Sequence, residues 1–138
     1  MLARITFTTL FVLVSTFCFA KELLKSTTSW DGQALSYPKG EAELTSMRLT
    51  LKANQALPFH CHPVPTFGYI LSGEMEVETA EGKTTRFKAG DAVIEVMKTV
   101  HRGRALDAPV EILVFYAGEK NTPNTVLPKD DPNHKYCS

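Results

Sequence analysis

Alternation between apolar and polar residues is the strongest signal along this chain. Met47, Leu49 and Leu51 are apolar, while Arg48, Thr50 and Lys52 are polar. A period of two gives a strand with two unlike faces. Phe67 to Leu71 is a short apolar run that ends at the turn signal Ser72-Gly73. Met75 and Val77 then alternate with Glu74, Glu76 and Glu78, as in a strand with one solvated face. Glu81-Gly82-Lys83 and Ala89-Gly90-Asp91 are further turns, and they separate strands over Thr84 to Phe87 and Ala92 to Met97. Asp107-Ala108-Pro109 turns again, and Val110 to Tyr116 reads as a buried strand. No convincing amphipathic helix follows residue 20. Short strands at regular spacing, punctuated by Gly and Pro, predict an all-β sandwich or barrel.

The flanks are patterned differently. Arg4 is followed by an apolar or hydroxylated stretch from Ile5 to Phe19, closed by Ala20 before Lys21 and Glu22 restore charge. That is the layout of a secretory signal peptide, and the run is short for a membrane span. The expectation is a leader over residues 1–20, cleaved after Ala20. The product is then exported to the periplasm or beyond, with no stable membrane insertion. Residues 21–43 form a loose lead-in, with turns at Trp30-Asp31-Gly32 and Tyr37-Pro38-Lys39-Gly40. Residues 44–117 form the barrel core. Residues 118–138, with Pro123, Pro128 and Pro132, form an extended tail that wraps the barrel or is partly disordered.

The whole chain has 138 residues, 43 % of them hydrophobic, which suits one domain with a real core. Its formal net charge is zero, so nothing points to nucleic acid as a partner. Cys61 and Cys137 remain after the leader. In an oxidising compartment they either pair or stay as thiols; a bridge would contribute about 4 kcal/mol by the chain-entropy model.

Histidine is scarce, and two of the four sit at i and i+2 in Pro58-Phe59-His60-Cys61-His62-Pro63. On a strand those two share a face, about 6.5 to 7 Å apart. They can converge on one ion, since His–metal bonds are about 2.1 Å. Cys61 faces the other way. A third ligand must come from a neighbouring strand, and His101 is available for it. His134, in the tail, reads as solvated and unrelated.

In order, His60, His62, Gly73, then Gly90 opening a strand, then a turn and His101, resemble the two-part signature of the cupin family. The resemblance spans about Leu44 to Tyr116. It implies a double-stranded β-helix, or jelly-roll barrel, holding one divalent metal ion (Fe, Mn, Ni, Zn or Cu) through His60, His62 and His101. The family's glutamate falls on Thr66, a poor ligand, and its Pro-x-Gly falls on Val96-Met97-Lys98. Either water completes a three-histidine shell or a carboxylate from elsewhere does. Glu95 is the candidate carboxylate, because it interrupts an apolar strand, although an outward-facing position is the plainer reading of it. Thr66 and Gly68, which share the parity of the histidines, are candidate pocket residues. Phe59, Phe67, Tyr69 and Phe115 are candidate walls, or plain core. Arg48, Arg102 and Arg104 could hold a substrate carboxylate, though alternation directs the last two outward.

Three neutral ligands leave the positive charge of a bound ion uncompensated, which favours an anionic or chelating oxygen substrate. The resemblance implies an enzyme of dioxygenase or isomerase/lyase type acting on a small molecule. The alternative is a non-catalytic module that binds a small ligand or a metal outside the cytoplasm. It also implies a possible homodimer through sheet edges.

Overall fold

The computed structural model describes residues 19–138; the expected leader, apart from its last two residues, lies outside them. Seven strands follow in order: β1 (Ala42–Leu51), β2 (Thr66–Ser72), β3 (Glu74–Thr79), β4 (Thr84–Lys88), β5 (Ala92–Ile94), β6 (His101–Ala105) and β7 (Val110–Glu119). All named pairings are antiparallel, and they build two sheets, ordered β1-β7-β2-β5 and β4-β3-β6.

The sheets pack inner face to inner face around one core. Leu51, Ile70, Val77 and Val110 are almost fully shielded there, and Met75, Ala105, Ile112, Val114 and Tyr116 join them. Every second residue supplies that core, as the pleat requires. On β7 the inward set is Val110, Ile112, Val114 and Tyr116, while Phe115 between them is 42 % exposed. Gly73 makes the β2–β3 turn with φ +79, and a Cβ there would run into the Pro109 carbonyl. Only glycine meets both conditions at no steric cost.

Several element bounds differ from the sequence pattern for identifiable reasons. β1 and β7 stay in register from Ala42↔Glu119 to Leu51↔Val110. The ladder therefore continues two residues past each end of 44–117, where backbone bonds persist after the apolar alternation fades. β5 stops at Ile94 rather than Met97. Beyond it the chain turns through Lys98, which sits at φ +62.

The segment before β2 is not a named strand, yet it runs beside β6. Isolated bridges join Ala56 to Arg104 and His60 to His101. The tail is ordered rather than loose. It carries a short 3-10 turn at Pro128–Asp130. Cys137 and Cys61 form a disulfide with Cα atoms 5.6 Å apart, and Val126 exchanges backbone hydrogen bonds with Cys61. The buried Asp131 carboxylate accepts from the backbone N–H of Lys135, Tyr136 and Cys137 at 2.8–2.9 Å, closing the end of the chain.

Candidate metal centre

His60 and His101 are directly opposed, each donating its backbone N–H to the other's carbonyl at 2.8–2.9 Å. His62 lies two residues on, next to Met97 in a parallel bridge, and Lys98 N–H donates to its carbonyl. The three rings therefore come from two pieces of chain and meet inside the barrel. Their centroids are 4.6 to 5.0 Å apart. One ligand atom from each lies within 4.8 Å of the others, and all three residues are buried. Cys61, between two of them, points away to Cys137, as strand parity demands.

Each ring is oriented by a backbone carbonyl behind it. Nδ1 of His60 meets Pro58 O at 2.9 Å, Nδ1 of His62 meets Asn124 O at 2.9 Å, and Nδ1 of His101 meets Thr99 O at 2.8 Å. A carbonyl only accepts, so Nδ1 carries the proton in each ring and donates it. Nε2 is then left as a bare lone pair. This is the outer-shell arrangement of metal-bound histidines.

Charge on the rings is suppressed. Burial pushes His62 down to about 3, with His101 and His60 adding to the effect and the Asn124 bond opposing it. His60 and His101 are also lowered by burial, partly offset by their bonds to Pro58 and Thr99. Neutral imidazole is the ligating form.

Glu95 turns inward. Val93, two residues earlier, is 2 % exposed, and alternation carries the next inward position to Glu95. Its Oε2 lies 3.6 Å from Nε2 of His101. Both atoms are shut off from solvent and neither has a hydrogen-bond partner. Burial raises the Glu95 carboxyl to about 7, with His60 pulling the other way. Two unpartnered acceptors at that distance are too far apart for a proton to bridge well. A cation between them would satisfy both. The donor set and these two orphaned atoms fit a divalent ion held by His60, His62 and His101, with Glu95 in reach.

The rings face a cavity of about 210 Å³. Thr66 lines it, but its hydroxyl is spent on Val64 O at 3.1 Å. Gly68 does not line it. A Cβ there would meet Val93 Cγ1 at 2.9 Å, so this glycine allows β2 and β5 to pack closely and opens no space in the cavity. None of Phe59, Phe67, Tyr69 and Phe115 lines it either. Phe67 and Phe115 instead line an outer groove together with Leu35 and Tyr37 of the lead-in, and Phe59 lies under the Arg102 guanidinium. The outward faces of β2 and β7 are apolar because the lead-in packs near them, so hydrophobicity alone did not tell inside from outside. The three arginines are outside too, paired as Arg48–Glu111, Arg102–Glu78 and Arg104–Glu76. His134 is exposed.

Sequence reasoning missed several wall residues. Tyr116 packs edge-on against His62 at 5.6 Å, and its parity with Val110, Ile112 and Val114 would have revealed it. Thr125 and Leu127 reach the cavity from the tail. Nothing in the sequence pattern of the tail announces that.

Two antiparallel sheets closed over three inward histidines define a double-stranded β-helix with a candidate metal centre. The chain belongs to the cupin family: the cupin domain model matches residues 47–116, half of the chain. Similar solved structures agree in fold. The DMSP lyase DddQ from Ruegeria pomeroyi DSS-3 is 30% identical over 64% of this chain and 44% of its own, with a TM-score of 0.55. An uncharacterized conserved protein with a double-stranded beta-helix domain from Klebsiella pneumoniae is 22% identical, covering 67% of this chain and 84% of its own, at 0.53. An oxalate oxidase is 18% identical, covering 62% and 46%, at 0.52. This chain spans less than half the length of the lyase and of the oxidase. No curated protein matches it.

Proposed function

We propose that the protein is an exported, metal-dependent enzyme acting on a small chelating molecule. The observation that carries this reading is the convergence of three neutral Nε2 lone pairs on a cavity that also holds Glu95. A bound divalent ion would act there as a Lewis acid, or would activate oxygen if it were iron. His60, His62 and His101 hold the ion. Glu95 either completes its shell or accepts a proton from a ligand beside it. Tyr116 also lines the cavity, beside His62, and burial raises its phenol, keeping it protonated. An unpartnered carboxyl 3.6 Å from a ligating nitrogen favours catalysis over simple storage of metal or ligand.

Export is part of the reading. It rests on the apolar leader and agrees with the Cys61–Cys137 disulfide, which belongs in an oxidising compartment. The ten-residue β1 is a sheet edge with Leu44 82 % exposed, where a second copy could pair.

Metal analysis of the purified protein tests the centre. About one ion per chain is expected, and near none in a His60→Ala, His62→Ala variant with the same fold. Equal metal in both overturns the site. Oxygen uptake or product formation by the loaded protein, over a panel of diketones, thiols and phenols, separates an enzyme from a binding module. Intact mass of the secreted product should correspond to a chain starting at Lys21.

A further inference from the structure

The cavity sorts its polarity by depth, and the strand registers show how. Along β6 the inward positions are His101, Gly103 and Ala105, facing Thr79, Val77 and Met75 of β3. Along β7 they are Tyr116, Val114 and Ile112, facing Thr66, Gly68 and Ile70 of β2 on one side, of which Thr66 lines the cavity. On the other side they face Thr45, Met47 and Leu49 of β1, of which Leu49 and the 47 % exposed Met47 line the cavity. The first row is polar and holds the histidines. The two rows behind it are apolar.

Among the described residues no lysine, arginine, asparagine or glutamine lines the cavity, and Glu95 is its one carboxylate. Most polar side chains in the first row are already engaged. The three Nδ1 atoms and the Thr66 hydroxyl bond to backbone carbonyls, and the Tyr116 hydroxyl meets Met47 Sδ at 3.6 Å. Besides the Thr125 hydroxyl, 3.4 Å from Nδ1 of His62, the groups left for a ligand are the bare ring nitrogens, through their ion, and Glu95.

Resting on the metal-centre reading above, we infer that the substrate class is a singly anionic chelating head carried on an uncharged apolar body about the size of one aromatic ring. Size follows from volume. An apolar cavity of about 150 Å³ accommodates benzene, and this one is about 210 Å³, which adds room for a head of a few atoms. Charge follows from the walls. A second carboxylate on the body would sit among Leu57, Val77, Met75, Val114 and Ile112 with no cation or donor to replace its water. Burying such a charge unpaired is strongly unfavourable. One negative charge at the head, together with the Glu95 carboxylate, offsets a divalent ion, and the apolar body gains from the wall.

Three hydroxamates share one head and test this on Co²⁺-loaded protein, read by the visible bands of the cobalt and by calorimetry. Benzohydroxamate should bind about tenfold or more tightly than acetohydroxamate, because its ring buries apolar area. 4-Carboxybenzohydroxamate should bind about tenfold or more weakly than benzohydroxamate. In Leu57→Lys, where a half-buried wall residue opposite Gly103 becomes a cation, that second gap should close. Equal binding of the two aromatic probes, or of benzohydroxamate and acetohydroxamate, overturns the substrate class while leaving the centre intact. Cobalt bands that are absent, or unchanged in His60→Ala, overturn the metal reading and the substrate class with it. The wild-type comparison needs no variant, so a misfolded Leu57→Lys does not remove the test.

Discussion

Glu95 and the three histidines pull on stability in opposite directions in the metal-free protein. The rings are held below their ordinary 6.5. Between that value and their native ones the unfolded chain binds protons that the folded chain refuses. Their contribution is therefore complete above pH 6.5 and is lost as pH falls. Glu95 is raised from 4.5 to about 7. Its native form keeps a proton that the unfolded carboxyl releases, so its contribution is complete below pH 4.5 and is lost as pH rises through 7. Glu95→Gln removes this counterweight. Denaturant titration of chelator-treated protein from pH 6.5 down to 4.5 should show a steeper loss in the variant. The difference approaches one proton, about 1.4 kcal/mol per pH unit. Identical slopes would mean that Glu95 titrates like a solvated carboxyl.

A second residue carries a local cost. Lys98 occupies the glycine position of the family's Pro-x-Gly and does so at φ +62, a conformation that costs a side-chain-bearing residue about 1 kcal/mol. Part of that should be recovered in Lys98→Gly, as a stabilisation of about 0.5 kcal/mol in denaturant titration. A loss of stability would show that the lysine side chain makes good the strain. The histidine pair was legible because a period of two places i and i+2 on one face. Glu95 was visible as a break in an apolar strand. Gly68 was misread because parity gives the side of a sheet and says nothing of depth along it.

Among the elements, the tail is the one whose role the sequence hid. Its composition, rich in Pro and Asn with no period, gave no sign that it lines the cavity. What it supplies to the centre is mainly a main-chain atom, the Asn124 carbonyl behind His62, and any residue type can offer that. The tail is held by the disulfide and by the two hydrogen bonds between Val126 and Cys61. The covalent link closes a loop spanning 76 residues. Cys137→Ser should cost about 4 kcal/mol of stability by the chain-entropy model. It should also weaken Co²⁺ binding by about tenfold or more, because His62 loses a fixed partner. Thermal melting reads the first effect and metal titration the second. A lower melting point with unchanged metal affinity would show that the Val126 bridge alone holds Asn124 in place.

At the scale of the molecule, the strand periodicity and turn residues were enough to indicate an all-β sandwich or barrel, since each side chain's face follows from its place in the alternation. The inside of that framework was harder to read. Outward Phe115 is as apolar as inward Val114, because the lead-in residues Leu35 and Tyr37 share a groove with it. The centre draws on both halves of the fold. His101 belongs to β6 of the three-stranded sheet, and Glu95 follows β5 of the four-stranded sheet. His60 and His62 lie on the connection that enters β2. An ion bound by these groups would tie the sheets together, and the unfolded chain would hold no such cage. Binding should therefore appear as stability of the whole domain and not of one strand. At a free metal concentration 100 times the dissociation constant, linkage gives about 2.7 kcal/mol. For a domain of this size that is on the order of 10 °C in melting temperature. Titrating chelator-stripped protein with Zn²⁺, Mn²⁺, Ni²⁺ or Co²⁺ should raise the melting point in proportion to the logarithm of affinity, in a single cooperative transition. His62→Ala should abolish the rise. A variant that still gains the full shift would place the ion elsewhere, and two separated transitions would show that the centre stabilises one sheet without the other.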